Sequence, residues 1–201
     1  MQKNRTMKSK ISILLLAILG ITASCKGDKQ TETAGEGAQE TVNPNFIVEV
    51  NAYAAQKDDF GLYFTEDGTV NFIPEYVAWS GIDAKKEDAV AHFEIPDARI
   101  PTQIRLDLGL NKQQDSVVVK NVKLTYQKNT FDIKGSDFFT YFNRDEQFKT
   151  KIDAAKGTFT VYKSGAEYKT PFFYPNDVLA NKIKELTGVA QPQAQGQPQQ
   201  Q

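Results

Sequence analysis

The sequence predicts an all-β fold, a two-sheet β-sandwich with one C-terminal α-helix. Three observations predict it. Short runs of β-branched and aromatic residues recur through residues 44–188, and several of them alternate apolar with polar side chains. Turn residues separate these runs at intervals of about 8–12 residues, which is typical of sandwiches. Only one stretch, just before Gly188, has the spacing and caps of an amphipathic helix.

The first strands are predicted from apolar runs and one turn signal. Residues 46–53 (FIVEVNAY) are rich in β-forming side chains and are expected to form the first strand. Residues 61–65 (GLYFT) and 69–73 (TVNFI) flank the sequence Glu-Asp-Gly. Because Asp-Gly favours the tight turns of β-hairpins, we expect these two runs to pair with each other.

Two strands in the middle of the domain alternate apolar with polar residues. In residues 89–95 (AVAHFEI) the odd-numbered positions, all apolar, share one face, which leaves His92 on the other as an exposed strand residue. In residues 103–110 (QIRLDLGL) the alternation places Arg105 and Asp107 on the polar face. We expect these two side chains to face solvent or to pair across strands.

The last strands lead into the helix. Residues 116–127 (SVVVKNVKLTYQ) are expected to form one long strand whose register changes near Asn121. Shorter strands are expected at residues 131–135, 158–162 and 170–174. Residues 175–177 (PND) provide an N-cap, and Gly188 provides a C-terminal cap. The helix between them carries an apolar stripe made of Val178, Leu179, Ile183 and Leu186.

The N-terminus has the layout of a bacterial export signal. A basic stretch precedes the apolar run at residues 11–21. That run would span roughly 16–17 Å as a helix, whereas a bilayer core is about 30 Å thick, so it is too short to cross a membrane. The following segment, ITASC, resembles the lipobox of bacterial prolipoproteins, although it has Thr22 where Leu is usual.

The lipobox resemblance implies a processing site and an anchor. Residues 1–24 would be the signal peptide, and Cys25, the only cysteine, would carry the lipid that attaches the protein to the membrane. Lys26 after the cysteine, where an Asp would retain such a protein at the inner membrane, implies the outer membrane. The alternative is an ordinary secreted protein that is cut elsewhere, with Cys25 incidental.

Composition divides the rest of the chain into three segments. Residues 25–43 hold almost no bulky apolar side chain and are expected to form a flexible tether. Residues 44–188 are expected to form the sandwich domain, and the Gln/Pro-rich residues 189–201 a disordered tail. Without residues 1–24 the chain has 20 Lys and Arg against 25 Asp and Glu, a formal charge of −5. This excess of acids argues against nucleic acid as a partner.

Three stretches carry a resemblance to a domain family. They are residues 58–64 (DDFGLYF), 91–109 (AHFEIPDARIPTQIRLDLG) and 117–126 (VVVKNVKLTY). Together they look like the jelly-roll, galactose-binding-like domains that accompany bacterial cell-envelope and glycan-processing proteins. The resemblance implies a jelly-roll-like sandwich and a tendency to bind carbohydrate, without naming a ligand.

The residue types limit the chemistry that the domain can perform. With one His and one Cys, the chain cannot form a zinc site of His and Cys ligands, and we predict no catalytic residue, no metal and no cofactor. Two alternatives stay open. A carboxylate pair such as Asp58 and Asp107 would suit a glycan hydrolase. Oxygen ligands for a structural Ca²⁺ are available from Asp58, Asp59, Asp107 and Asp115.

Three aromatic residues are the candidate ligand contacts. Tyr76 and Trp79 lie in residues 74–81 (PEYVAWSG), which are expected to form a loop between two strands. Tyr141 is expected at the rim of an aromatic cluster at residues 137–148. Aromatic rings can carry the C–H face of a sugar, but packing in the core is the alternative, because large aromatic side chains contribute most to stability when they are buried.

The function expected from the sequence is a membrane-anchored, non-catalytic binding module for carbohydrate. The alternative is a structural or accessory subunit that binds another envelope protein, and a glycan hydrolase is the third possibility. Exposed aromatics in a concave cluster would favour a sugar ligand, whereas a broad flat apolar patch would favour a protein partner.

Overall fold

The structure of the chain is a computed structural model that describes residues 42–148, 150–164 and 167–189. Cys25, the predicted signal peptide, nearly all of the tether and the tail from residue 190 lie outside the described residues. The strands of the six-stranded sheet are β1 Phe46–Ala54, β4 Ala89–Ile95, β6 Ser116–Tyr126, β7 Asn129–Lys134, β9 Lys151–Asp153 and β10 Thr158–Thr160. The strands of the five-stranded sheet are β2 Asp58–Thr65, β3 Val77–Ile82, β5 Gln103–Asp107, β8 Phe142–Arg144 and β13 Phe172–Pro175.

Smaller elements complete the described chain. Strands β11 Tyr162–Ser164 and β12 Glu167–Lys169 form a two-stranded sheet. The α-helices are α1 Phe138–Tyr141 and α2 Asp177–Thr187, and short 3₁₀ helices lie at Gly135–Asp137, Glu146–Phe148 and Ala154–Lys156. The two large sheets share one hydrophobic core. The predicted fold class, an all-β two-sheet sandwich with a C-terminal helix, is therefore confirmed.

Each large sheet combines strands from distant parts of the chain, and some of its strands alternate buried with more exposed side chains. The six-stranded sheet runs β4-β1-β6-β10-β9, with β7 also paired to β6, and the five-stranded sheet runs β3-β2-β5-β13-β8. Every second side chain of β1 is buried from Phe46 to Ala54. Strand β4 has the same strict alternation, with His92 on its exposed side as predicted. Each alternation turns one face of the strand to the core and the other to solvent.

The predicted register change in β6 is present. Asn51 of β1 pairs with Asn121, but the next residue, Ala52, pairs with Val119, so Lys120 is the extra residue of a β-bulge. A bulge lets a long strand keep its apolar side chains inward on both sides of the break. Val119 and Val122 are accordingly both buried.

The predicted hairpin between residues 61–65 and 69–73 is wrong. The Asp67 carboxylate accepts hydrogen bonds from the backbone N–H and the hydroxyl of Thr69, at 3.0 and 2.8 Å. Such local bonds compete with a strand ladder, and they give a turn that does not lead into a strand. The partner of β2 is instead β3, and their pairing is extended by the Phe64 N–H, which donates to the Tyr76 carbonyl.

Because β3 pairs with β2, Trp79 lies on a strand and not in the predicted loop. Residues 74–81 are not a loop throughout, because Val77–Ile82 is strand β3. Trp79 therefore lies on a regular strand and pairs with Gly61 of β2. The position of its side chain is fixed by sheet register rather than by a loop conformation.

The terminal helix α2 forms as predicted, with one correction. The Asn176 carboxamide oxygen accepts hydrogen bonds from the first backbone N–H groups of the helix, and Gly188 ends it with φ 71°. The buried residues of the helix are Leu179, Ala180, Ile183 and Leu186. The predicted stripe includes Val178, but this residue is 45% exposed, because it lies about 100° around the helix from Leu179 on the side away from Ala180. The helix contacts strands of both sheets and covers one end of the sandwich.

Candidate binding face

Aromatic side chains cover the outward face of the five-stranded sheet. In β2, the inward residues Phe60, Leu62 and Phe64 are buried, so the residues between them point outward. One outward row crosses the sheet as Trp79, Gly61, Asp107 and Phe172, and the next as Val77, Tyr63 and Arg105. We call this surface the aromatic face; its rings are Tyr63, Phe72, Trp79, Phe172 and Tyr174.

Trp79 lies flat on the sheet because its strand partner is glycine. A Cβ atom placed on Gly61 would be 2.9 Å from Trp79 Cζ3 and 3.2 and 3.3 Å from the two ring atoms bonded to it. These nearly equal distances indicate that the six-membered ring covers Gly61 with its face rather than with its edge. The opposite face of the indole points to solvent, and Trp79 is 52% exposed.

The neighbouring rings support one another. Tyr63 meets Trp79 in an edge-to-face arrangement, with ring centroids 6.2 Å apart. Phe72, from the loop between β2 and β3, contacts Tyr174 of β13 at 6.0 Å. Such ring pairs contribute about 0.5–1.5 kcal/mol beyond the area that they bury. The face is thus a connected set of half-buried rings with Trp79 at its exposed edge.

An ion pair lies at the centre of the aromatic face. Arg105 Nε and Nη2 donate to the two carboxylate oxygens of Asp107 at 2.7 and 2.8 Å. The guanidinium carbon lies 4.2 Å from the ring centroid of Tyr63 and 4.6 Å from that of Phe172. Arg105 therefore fills the space between rings on either side, by a bidentate ion pair and by cation–π contacts.

The prediction that Arg105 and Asp107 face solvent or pair across strands is wrong. They pair with each other along one strand, and Asp107, between Gly61 and Phe172 in its row, is only 3% exposed. Burial raises the pKa of the Asp107 carboxyl to about 6, and Arg105 acts in the opposite direction. Burial, and then the charge of Asp107, raise the pKa of the Tyr63 hydroxyl. That hydroxyl is therefore a hydrogen-bond donor at neutral pH.

The structure does not bring the other two predicted contacts to Trp79. Tyr76 is half-buried, stacks on Phe64 at 5.5 Å and lies 4.0 Å from the Arg99 guanidinium carbon. It lines a separate surface pocket of about 490 Å³ with Ile73 and the turn after β2. Packing against the core is therefore the better description of Tyr76, while Trp79 is not a core residue.

Tyr141 lies near the terminal helix. Its ring meets Phe131 edge to face at 5.4 Å, and its carbonyl accepts a hydrogen bond from the Asn176 backbone. It is half-buried and packs against the core. It therefore belongs to the junction of β7 and α2 and contributes nothing to the aromatic face.

Four rings of the aromatic face were missed by the sequence analysis, namely Tyr63, Phe72, Phe172 and Tyr174. The signal for Tyr63 was available, because it alternates with the inward residues Leu62 and Phe64. For Phe172 and Tyr174 the signal was the same alternation around buried Phe173. No local pattern indicated Phe72, because its position depends on the failure of the expected hairpin.

Three of the four acids proposed as calcium ligands, Asp58, Asp107 and Asp115, have protein partners instead, and only the Asp59 carboxylate has none among the described residues. Asp58 accepts hydrogen bonds from the Asn111 backbone and the Gln114 side chain, at 2.9 and 3.0 Å, and burial raises its pKa. Asp107 is held by Arg105, and Asp115 pairs with Lys163 at 2.8 Å. Among the described residues, no group of three or more His, Cys, Asp or Glu side chains is arranged to hold a metal.

Comparisons with known proteins give no relative for this chain. A scan of protein-family models, a search of curated proteins and a search of solved structures each found no match. None of the helices within residues 42–148, 150–164 and 167–189 is long and apolar enough to cross a membrane.

Proposed function

We propose that this protein is a membrane-anchored, non-catalytic binding module that holds carbohydrate on its aromatic face. The observation that carries the proposal is Trp79, which covers Gly61 with one ring face and turns the other to solvent. A flat, half-exposed indole suits the apolar C–H face of a sugar ring. Polar groups beside it can orient the sugar hydroxyls, as polar groups do in most ligand sites.

The support around Trp79 favours a preformed site. Tyr63 contacts the indole, and Arg105 with Asp107 holds Tyr63 from the other side. A platform that is already fixed loses less conformational entropy when it binds. The charge of Arg105 is matched by Asp107, so the centre of the face presents little net charge to a ligand.

The alternative partner is another protein of the cell envelope. It draws support from the position of the rings on a sheet face, which is flatter than a cluster of loops. Against it, Trp79 is the only large hydrophobic side chain of this face that is strongly exposed within the described chain, and its neighbours are half-buried. A protein-docking surface ordinarily exposes a broader apolar patch.

The experiment is a glycan array probed with the full chain in detergent, followed by calorimetric titration of each hit. Trp79→Ala should weaken binding by about 1–3 kcal/mol, which is roughly ten- to hundred-fold. Tyr53→Ala is the matched control, because Tyr53 is a half-buried aromatic on the outward face of the other sheet. A blank array, or hits that Trp79→Ala leaves unchanged, would refute the carbohydrate proposal.

The anchor is proposed on separate grounds. The segment ITASC after a short apolar run supports lipid attachment at Cys25, and Lys26 supports the outer membrane. Cys25→Ala should release the protein from the membrane fraction and abolish its labelling by palmitate. If the variant still fractionates with membranes and still takes up the label, the anchor lies elsewhere.

A further inference from the structure

A second glycine on the aromatic face is covered by a carboxylate. Asp59 of β2 pairs with Gly81 of β3, one outward row away from the pair of Gly61 and Trp79. A Cβ atom placed on Gly81 would be 3.1 Å from Asp59 Oδ1. The carboxylate of Asp59 therefore lies over Gly81, just as the Trp79 ring lies over Gly61. Both side chains lie across the groove between the same two strands.

Asp59 and Trp79 are diagonal neighbours in the antiparallel pair. Such neighbours lie about 7–8 Å apart, which is within reach of one ligand ring and its substituents. Asp59 is exposed, and within the described part of the chain no hydrogen bond or ion pair engages its carboxylate. An ionised carboxylate offers only acceptors, so its natural partners here are hydroxyl donors of a ligand.

Asp59 also lines a surface pocket at the start of strand β2. This surface pocket has a volume of about 430 Å³, and its lining residues are Lys57, Asp58, Asp59, Leu110 and Asn111. The volume falls in the range of roughly 300–1,000 Å³ that is common for small-ligand sites. Its far wall is fixed, because Asn111 donates to the Lys57 carbonyl at 2.7 Å and to the Asp58 carboxylate at 2.9 Å.

We propose that the protein binds a neutral oligosaccharide of at least two sugar units, with one unit stacked on Trp79 and the next in the pocket of Lys57 and Asn111. Asp59 lies between the two subsites and accepts hydrogen bonds from sugar hydroxyls. At the position between the two subsites its charge disfavours a uronic acid or a sulfated sugar, which would bring a second anion beside Asp59, whereas Lys57 places a cation at the pocket. This inference rests on the proposed function and adds a ligand class, a minimum length and a specificity residue to it.

The test measures affinity against chain length and charge. The neutral probes are cello-oligosaccharides and manno-oligosaccharides of one to six units, and the anionic probes are oligogalacturonates of the same lengths. For the full chain, we expect single sugars to bind at least ten-fold more weakly than disaccharides or longer chains of one neutral series. Oligogalacturonates should bind more weakly than that series at every length.

Variants at Asp59 separate this inference from the function on which it rests. Asp59→Ala and Asp59→Asn should each lower affinity for the neutral series about ten-fold without changing the melting temperature, because the side chain is exposed. Asp59→Lys should narrow or reverse the preference over oligogalacturonates. Asp132→Ala is the control, since Asp132 is an exposed acid on the other sheet's outward face.

The possible failures have different meanings. If Trp79→Ala abolishes neutral binding while the Asp59 variants bind like the wild type, the inference is wrong and the proposed function stands. If single sugars bind as well as longer chains, the two-subsite description is wrong. If none of the neutral probes binds the wild-type chain while the glycan array gives hits that depend on Trp79, the inference is wrong and the proposed function stands. A blank array overturns both.

Discussion

The outward faces of the two sheets carry different kinds of side chain. On the six-stranded sheet, Glu49 lies between His92 and Lys123, with nitrogen–oxygen distances of 3.6 and 3.8 Å, and Asp132 pairs with Lys123 in the next strand. This row of polar and charged side chains is exposed or half-exposed. On the five-stranded sheet, the corresponding outward positions carry aromatic rings.

The contrast between the two outward faces shows which side chains solubility requires and which it does not. A sheet needs one apolar face for its core, and polar side chains on the other face are enough to keep it in water. The charged row on the six-stranded sheet meets that need. The five-stranded sheet instead places Tyr63, Trp79 and Phe172 outward and buries an ion pair among its rings. Because solubility does not require these rings, we interpret the aromatic face as the candidate binding surface.

The largest expected effect on the free energy of unfolding comes from breaking the ion pair of the aromatic face, compared with an ion pair on the outward face of the six-stranded sheet. Arg105→Ala should lower the free energy of unfolding by about 3–5 kcal/mol, because it leaves Asp107 buried without its partner. Lys123→Ala should cost less than about 1 kcal/mol, since Lys123 and Glu49 are well exposed. Urea denaturation of both variants measures the contrast.

A double substitution checks the cause of that loss. Arg105→Met combined with Asp107→Leu removes both charges and should recover much of the stability, because no buried ion is left unpaired. Equal costs for Arg105→Ala and Lys123→Ala would mean that the two faces do not differ in the way described.

The second-largest expected effect is the pH dependence of the free energy of unfolding that Asp107 contributes. Its pKa in the folded state is raised from 3.8 to about 6 by burial, so the folded protein binds this proton more readily than the unfolded chain. The resulting stability is fully present below about pH 4 and is lost as pH rises through about 6. It amounts to roughly 2–3 kcal/mol, at about 1.4 kcal/mol for each pKa unit.

Asp107→Asn isolates this contribution from that of other acids. The variant should flatten the fall in unfolding free energy between pH 4 and 6, relative to the wild type. A carboxyl titration of Asp107 by NMR gives its pKa directly. A midpoint below 4 would show that Arg105 outweighs burial, and the expected slope would then be absent.

The smallest expected effect on stability comes from Gly61→Ala. The new methyl group would displace the Trp79 ring, whose nearest atom is 2.9 Å from that position. Because Trp79 is half exposed, it can swing outward at a cost of about 1 kcal/mol or less. Its fluorescence, which is that of the only tryptophan, should then shift to the red. Val90→Ala on the opposite face should leave the emission unchanged, and an unchanged spectrum for Gly61→Ala would contradict the stacked geometry.

Strand β4 and helix α2 could be predicted from their own residues alone. Strand β4 alternates without a break, and its buried and exposed positions agree with the sequence at every residue. The helix α2 carries its own caps, Asn176 and Gly188, and forms where they predict. In both cases the information lies within a few neighbouring residues.

The aromatic face could not be predicted in the same way, because it depends on the register between distant segments. Strand β3 does not alternate cleanly, and Gly81 within it is a poor strand former on its own. Gly61 and Gly81 are explained only when β2 and β3 are paired, with Trp79 and Asp59 covering them. The burial of Asp107 likewise depends on neighbours from other strands, so the sequence predicted only that this acid would face solvent or pair across strands.

The most direct test of the central claim follows Trp79 during binding. Titrating the full chain with a glycan that binds it should change the Trp79 emission saturably, with a blue shift, and the midpoint should agree with the affinity measured by calorimetry. No other tryptophan contributes to the signal. A glycan that binds with the same affinity but leaves the Trp79 emission unchanged would show that the aromatic face is not the binding surface.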